Sequence, residues 1–180
     1  MNQKMSKNNM RKWIALYDPS SHMKHARCAM MFANGTNDSH FPMNTLKKTA
    51  LQCQGPVAMC LILHIVHQHR WDIREVEPYV DSIIDYGTPF LKVSRIKREG
   101  LTVSATFTGP VEARRAALVY TCDSGPWRPR VWDTMPATLN TSTRTISADL
   151  PKDKQVTACF LSLTDERNFT VSTLHEENDP

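Results

Sequence analysis

Two apolar runs, each ending on a polar turn, lie between residues 28 and 69 and constrain the fold more than any other feature. The first reads C-A-M-M-F-A and closes on Asn34-Gly35-Thr36-Asn37-Asp38. The second reads V-A-M-C-L-I-L-H-I-V and closes on His67, Gln68 and His69. Short continuous apolar runs are the pattern of strands buried on both faces, as in parallel sheets. Gly35 is read as supplying backbone angles that other residues avoid. Pro42 suits the first turn of a helix, Met43, Leu46, Ala50 and Leu51 recur at helical spacing, and Gly55-Pro56 ends the segment. The spacing therefore predicts strand, helix, strand. Val76, Val80, Ile83 and Ile84 form a second helical stripe, with Asp72 as cap and Gly87 and Pro89 as the stop. Parallel strands joined by a helix bring their carboxyl ends together, where ligands and chemistry sit in open α/β sheets.

Character changes near Phe90. Segments 91–96, 101–107, 116–121, 128–133, 143–150, 156–164 and 169–174 are separated by turn signals such as Asp123-Ser124-Gly125-Pro126. Short strands at this spacing predict a β-sandwich of about seven strands. The expected division is an α/β unit over residues 1–90, an immunoglobulin-like β-sandwich over 91–176 and a tail over 177–180. Residues 1–12 read as a loose arm or a broken helix, and the chain from His175 onward as polar.

With 180 residues, 41% of them hydrophobic, the chain has material for a core and does not read as disordered. The formal charge is +4, and its Lys and Arg residues are mostly scattered, which argues against nucleic acid as a partner. The five cysteines include no C-x-x-C and mostly sit in apolar runs, so they read as buried thiols. No apolar run reaches the roughly 18 residues of a membrane-spanning helix, so no membrane is expected. The amino terminus lacks the apolar middle of a signal peptide. The expected location is cytoplasmic for the chain as it stands, and secreted or periplasmic if a longer precursor exists. No cofactor is expected.

Asp38 has two readings. It caps the next helix or folds its own turn, or it accepts the Nδ1–H of a histidine and fixes the ring as a general base. His67 and His69, just past a strand, are the candidate bases. An acid followed by a histidine is the second half of a Ser…Asp…His order, and no G-x-S-x-G elbow accompanies it. His64, His67 and His69, with Asp72 nearby, also suggest a metal-dependent hydrolase. No cysteine or carboxylate cluster completes such a site, and no metal is assigned. Trp127 and Trp132 either stack on a sugar or pack a core, while Arg128 and Arg130 between them either recognise a carboxylate or solvate a hairpin.

Y-D-P-S-S-H-M, M-M-F-A-N-G-T-N-D-S-H-F-P-M-N-T-L-K-K-T, the H-x-H turn and E-V-E-P-Y-V-D-S-I-I-D-Y-G-T-P-F together resemble the carboxyl-terminal part of a bacterial α/β-hydrolase group. Its members are acetyl-xylan-esterase-like or prolyl-oligopeptidase-like. L-V-Y-T-C-D-S-G-P-W-R-P-R-V-W and T-D-E-R-N-F-T-V-S-T-L-H are similar to the group's later segments. The resemblance implies a βαβα piece of an α/β-hydrolase sheet followed by the sandwich. It also implies a serine esterase whose triad acid is Asp38 and whose triad histidine is His69, with His67 as the alternative. The nucleophile would then lie in an upstream half, so this chain alone would be inactive. The expected partners are that upstream half or a second copy, and the expected substrate is an ester or carbohydrate ester. The rival expectation is a non-catalytic binding or interaction protein with a β-sandwich module.

Overall fold

The computed structural model describes residues 5–67, 73–84 and 86–178. Helix α1 (Lys7–Tyr17) is capped by the Ser6 hydroxyl, which accepts the Asn9 N–H, and it buries none of its residues. Strand β1 (Met30–Gly35), helix α2 (Met43–Ala50) and strand β2 (Val57–Ile62) follow, then α3 (Val76–Ile84). β1 and β2 run parallel, in register from Met30↔Val57 to Gly35↔Ile62. The remaining strands are β3 (Lys92–Val93), β4 (Lys97–Glu99), β5 (Thr102–Thr108), β6 (Ala113–Thr121), β7 (Asp133–Asn140), β8 (Thr145–Asp149), β9 (Ala158–Asp165), β10 (Thr170–Ser172) and β11 (Glu176–Glu177).

These strands form one mixed sheet, in the order β1-β2-β10-β9-β6-β7-β8-β5-β3, with β11 beside β9 and β4 beside β5. It curls into a half-barrel. This corrects the expectation of an α/β-hydrolase piece followed by a separate sandwich. The neighbour of β2 away from β1 is the antiparallel β10 rather than another parallel strand. Among the described residues β1/β2 is the sole parallel pair, and three helices accompany eleven strands. The family resemblance, and the hydrolase and esterase activity inferred through it, fall with that sheet. Local periodicity predicted the strand–helix–strand segment, but it carries no information about which distant strand completes the sheet.

The central strand β9 explains the layering. Its odd residues Cys159, Leu161 and Leu163 pack with Leu118 and Tyr120 of β6, Val103 and Phe107 of β5 and Ile146 of β8. Phe160 turns to the other face, where it meets Val119, Met43 of α2, Trp127 and Trp132. A strand covered on both faces reads as a continuous apolar run, as A-C-F-L-S-L does. By contrast β5 alternates, with Val103, Ala105 and Phe107 buried between exposed threonines and the half-buried Ser104.

β7 pairs with β6 from Asp133 to Ala137 and with β8 from Thr138 to Asn140, so it carries the chain from one half of the curl to the other. Pro136 sits on the β6 side of that switch, opposite Ala117. The strand expected over 128–133 is instead a turn leading into β7. Its tryptophans are buried, stacked with centroids 6.2 Å apart, and belong to the core. The carboxyl-terminal segment is also tied down: His175 is buried and Glu176 pairs with Cys159.

Candidate functional site

The carboxyl end of β1 is held by three successive residues with different tasks. A Cβ on Gly35 would lie 2.0 Å from the Ile65 carbonyl oxygen, so glycine is needed for close approach of the two turns and not for unusual backbone angles. Thr36, fully buried, accepts the His64 N–H at 3.0 Å on its hydroxyl. The side chain of Asn37 reaches across the sheet. Its amide donates to the carbonyls of Arg130 (2.7 Å), Arg128 (3.0 Å) and Trp127 (3.4 Å). One side chain thereby anchors the turn that carries both tryptophans. Asn37→Ala removes the donor to the buried Arg130 carbonyl, while the Trp127 carbonyl keeps the Arg130 N–H, and is expected to destabilise the protein by about 2 kcal/mol in urea unfolding. A change below about 0.5 kcal/mol would show that the turn is held by its own packing.

Asp38 makes two kinds of contact, one within its own turn and one to an imidazole. One oxygen, Oδ1, accepts the N–H groups of His40 (2.7 Å) and Phe41 (2.9 Å), which folds the turn before α2. The other, Oδ2, lies 3.1 Å from Nδ1 of His67. Burial pushes the buried Asp38 carboxyl up. The two N–H groups and the His67 imidazole outweigh it, and the net shift is below the ordinary carboxylate value. The ionised form is thus favoured, and its contribution to stability is lost only as pH falls below about 4. The His67 ring lies against His40, centroids 4.2 Å apart, and against Phe41 at 5.5 Å.

The structure thus brings Asp38 and His67 together. His69 lies outside the described residues, as does Asp72. His64 is exposed, with a left-handed φ of 59°, and among the described residues the donor atoms grouped with His67 come from Asp38 and His40. Sequence reasoning missed Asn37 and His40. The turn D-S-H-F-P signalled that Asp38 would fold its own turn, as it does, although the N-cap of α2 is Pro42, without a side-chain cap bond; nothing local signalled that His40 would stack on His67.

This pair is part of the lining of a cleft of about 970 Å³. The cleft exists because β2 and β10 share a single paired position, Met59↔Ser172, and then diverge. Side chains satisfy the backbone donors left at the seam: Leu61 N–H donates to Ser172 Oγ (3.2 Å) and Thr170 N–H to a Glu75 carboxylate oxygen (3.1 Å). One wall carries Ala33, Leu61, Leu63 and Ile65 from the β1/β2 side. The other carries Ala117, Val119, Phe160, Ser162 and Thr164 from β6 and β9. Cys60, also on the lining, is held as the thiol: burial, then the Glu75 carboxylate beside it, push its pKa up to about 12. No helix among the described residues is long and apolar enough to cross a membrane.

Compared with family models and with curated proteins, the chain matches none. Among solved structures, a carbohydrate-binding module of family 56, a β-1,3-glucan-binding domain, superposes at 13% identity with a TM-score of 0.32. It covers 50% of this chain and 99% of its own. OgpA from Akkermansia muciniphila superposes at 19% identity with a TM-score of 0.33, covering 50% of this chain and 27% of its own. At these scores neither superposition bears on function.

Proposed function

We propose that the chain is a non-catalytic binding module whose cleft between β2 and the β10/β9/β6 side takes a small, mainly apolar organic molecule with a hydrogen-bonding end. The observation that carries this reading is the cleft itself, of about 970 Å³. That size matches ligand sites in general, which are apolar with a few convergent polar groups. Asp38 and His67 are polar groups on the cleft lining, together with the hydroxyls of Ser162 and Thr164, which bond the Ala117 carbonyl and the Thr170 hydroxyl and keep acceptor capacity. In this role the carboxylate keeps the imidazole in one orientation for a ligand, as it would for a reaction.

The test uses Nile red as an apolar probe. The expected result is saturable fluorescence enhancement at one probe per chain, weakened at least tenfold in Ala117→Trp, which fills the cleft. Trp13→Ala, on the exposed face of α1, should leave binding unchanged. Circular dichroism confirms that the tryptophan variant folds. Turnover of p-nitrophenyl acetate is expected at the buffer rate. Equal binding by wild type and Ala117→Trp would overturn the assignment of the cleft, and turnover lost in His67→Ala would overturn the non-catalytic reading.

A further inference from the structure

The turn after β1 and the segment after β2 place three metal-ligating side chains together. One donor atom each from Asp38, His40 and His67 lie within 4.8 Å of one another. Two of the three already stand at a coordination spacing. Asp38 Oδ2 and His67 Nδ1 are 3.1 Å apart, and two donors on one tetrahedral zinc, each about 2.0–2.1 Å from the ion, are roughly 3.3 Å apart. We propose that Asp38, His40 and His67 form a binding site for a divalent transition-metal ion of the zinc class.

Three features beyond proximity support it. The Asp38 carboxylate is divided between two tasks: Oδ1 is occupied by the N–H groups of His40 and Phe41, so Oδ2 is directed away from the turn. Hydrogen bonds of this kind orient a ligating carboxylate in metal sites. Second, the backbone bond from His40 to Asp38 fixes the two ligands relative to each other, so only His67 arrives from a distant segment. Third, His40 is exposed, and the His40 ring overlaps that of His67 at 4.2 Å with planes 31° apart. A small rotation brings its donor onto an ion shared with His67, with no core to repack. Two imidazoles and a carboxylate suit zinc and its neighbours over calcium or magnesium, which prefer all-oxygen sites. Three ligands from the described residues leave a fourth position to be filled, by water, by a ligand in the cleft or by a further side chain. On binding, the ion replaces the proton between His67 and Asp38, and His67 takes the Nε2–H tautomer.

The site stands independently of what the cleft binds, because the ion is measured alone. Calorimetric titration of metal-free protein with zinc chloride, and cobalt(II) substitution read by visible absorption, are the measurements. The expected result is one ion per chain, tetrahedral cobalt bands, and affinity reduced at least tenfold in His40→Ala and in Asp38→Asn. His40→Ala is the cleaner variant, since its side chain is exposed and its metal-free melting temperature should equal that of the wild type. Absence of stoichiometric zinc in the wild type would overturn the proposal. So would binding that is unchanged in His40→Ala, including the case in which His69→Ala abolishes it instead. Nile red binding measured in a chelator separates the cleft from the metal: loss of one with retention of the other assigns the failure.

Discussion

Asp165→Ala is expected to destabilise the protein by about 4 kcal/mol. Asp165 is 2% exposed and accepts four hydrogen bonds. Oδ1 takes the N–H groups of Arg167 (2.9 Å) and Phe169 (3.0 Å), and Oδ2 takes Arg167 Nε (2.9 Å) and Nη2 (2.6 Å). The guanidinium so held donates onward to the carbonyls of Thr88 (2.9 Å) and Pro89 (3.2 Å) and lies 5.1 Å from the ring centres of both Phe90 and Phe169. One carboxylate therefore secures the β9–β10 turn and, through Arg167, the segment entering β3. Removing it leaves a largely buried cation without its partner, which costs about 3–5 kcal/mol in comparable pairs. Asp165→Asn keeps acceptors for the backbone and should lose less. Urea unfolding midpoints at constant slope are the measurement. A loss below about 1 kcal/mol for the alanine variant would show that the turn does not depend on the pair.

His175 should make the protein acid-sensitive well above the carboxylate range. It is 2% exposed, its Nε2 is 3.0 Å from Glu177, and its ring meets Trp127 edge-on at 5.3 Å. Burial lowers its pKa to about 4, with Lys47 and Arg130 acting in the same direction and Glu177 opposing them. The unfolded chain binds the proton near pH 6.5 and the folded one only near pH 4. Stability from neutral His175 is therefore complete above about 6.5 and is lost as pH falls toward 4. A shift of this size corresponds to about 3 kcal/mol across that window. His175→Gln should flatten the difference between unfolding free energies at pH 7.5 and pH 4.5. An unchanged slope in the variant would place the proton uptake elsewhere.

What was legible in the sequence follows from how locally each feature is encoded. The helical spacing of Met43, Leu46 and Ala50, between runs too short and too apolar for anything but strands, located β1, α2 and β2. The next neighbour of β2 was not legible, because Met59 meets Ser172 across 113 residues of chain and no periodicity carries that pairing. The resemblance filled the gap with an α/β-hydrolase sheet, and the antiparallel β10 corrects it. Pro136 disguised β7, since proline argues against a central strand; it is tolerated where β7 changes partner.

The candidate site shows the same division. Asp38 is visible because a polar turn after an apolar run is a local signal, and both its turn-folding bonds and its imidazole contact have a stated physical reason. Pairing it with His67 depends on how far the chain travels after Ile62, which a left-handed turn at His64 decides. Asn37 reads locally as turn chemistry, yet its amide contacts lie 90 to 93 residues away. The tryptophans fit a sugar platform or a core by sequence, and their burial decides for core.

The cleft between β2 and the β10/β9/β6 side carries the functional reading, and methyl nuclear magnetic resonance tests it most directly. Alanine, isoleucine, leucine and valine methyls would be labelled and followed during titration with Nile red. The account expects saturable shifts at Ala33, Ile65 and Ala117, which line the cleft, and none at Leu118 or Leu163, which face the opposite core. Shifts confined to Ile14 and Leu16 on the exposed helix α1, with the cleft methyls unmoved, would contradict it.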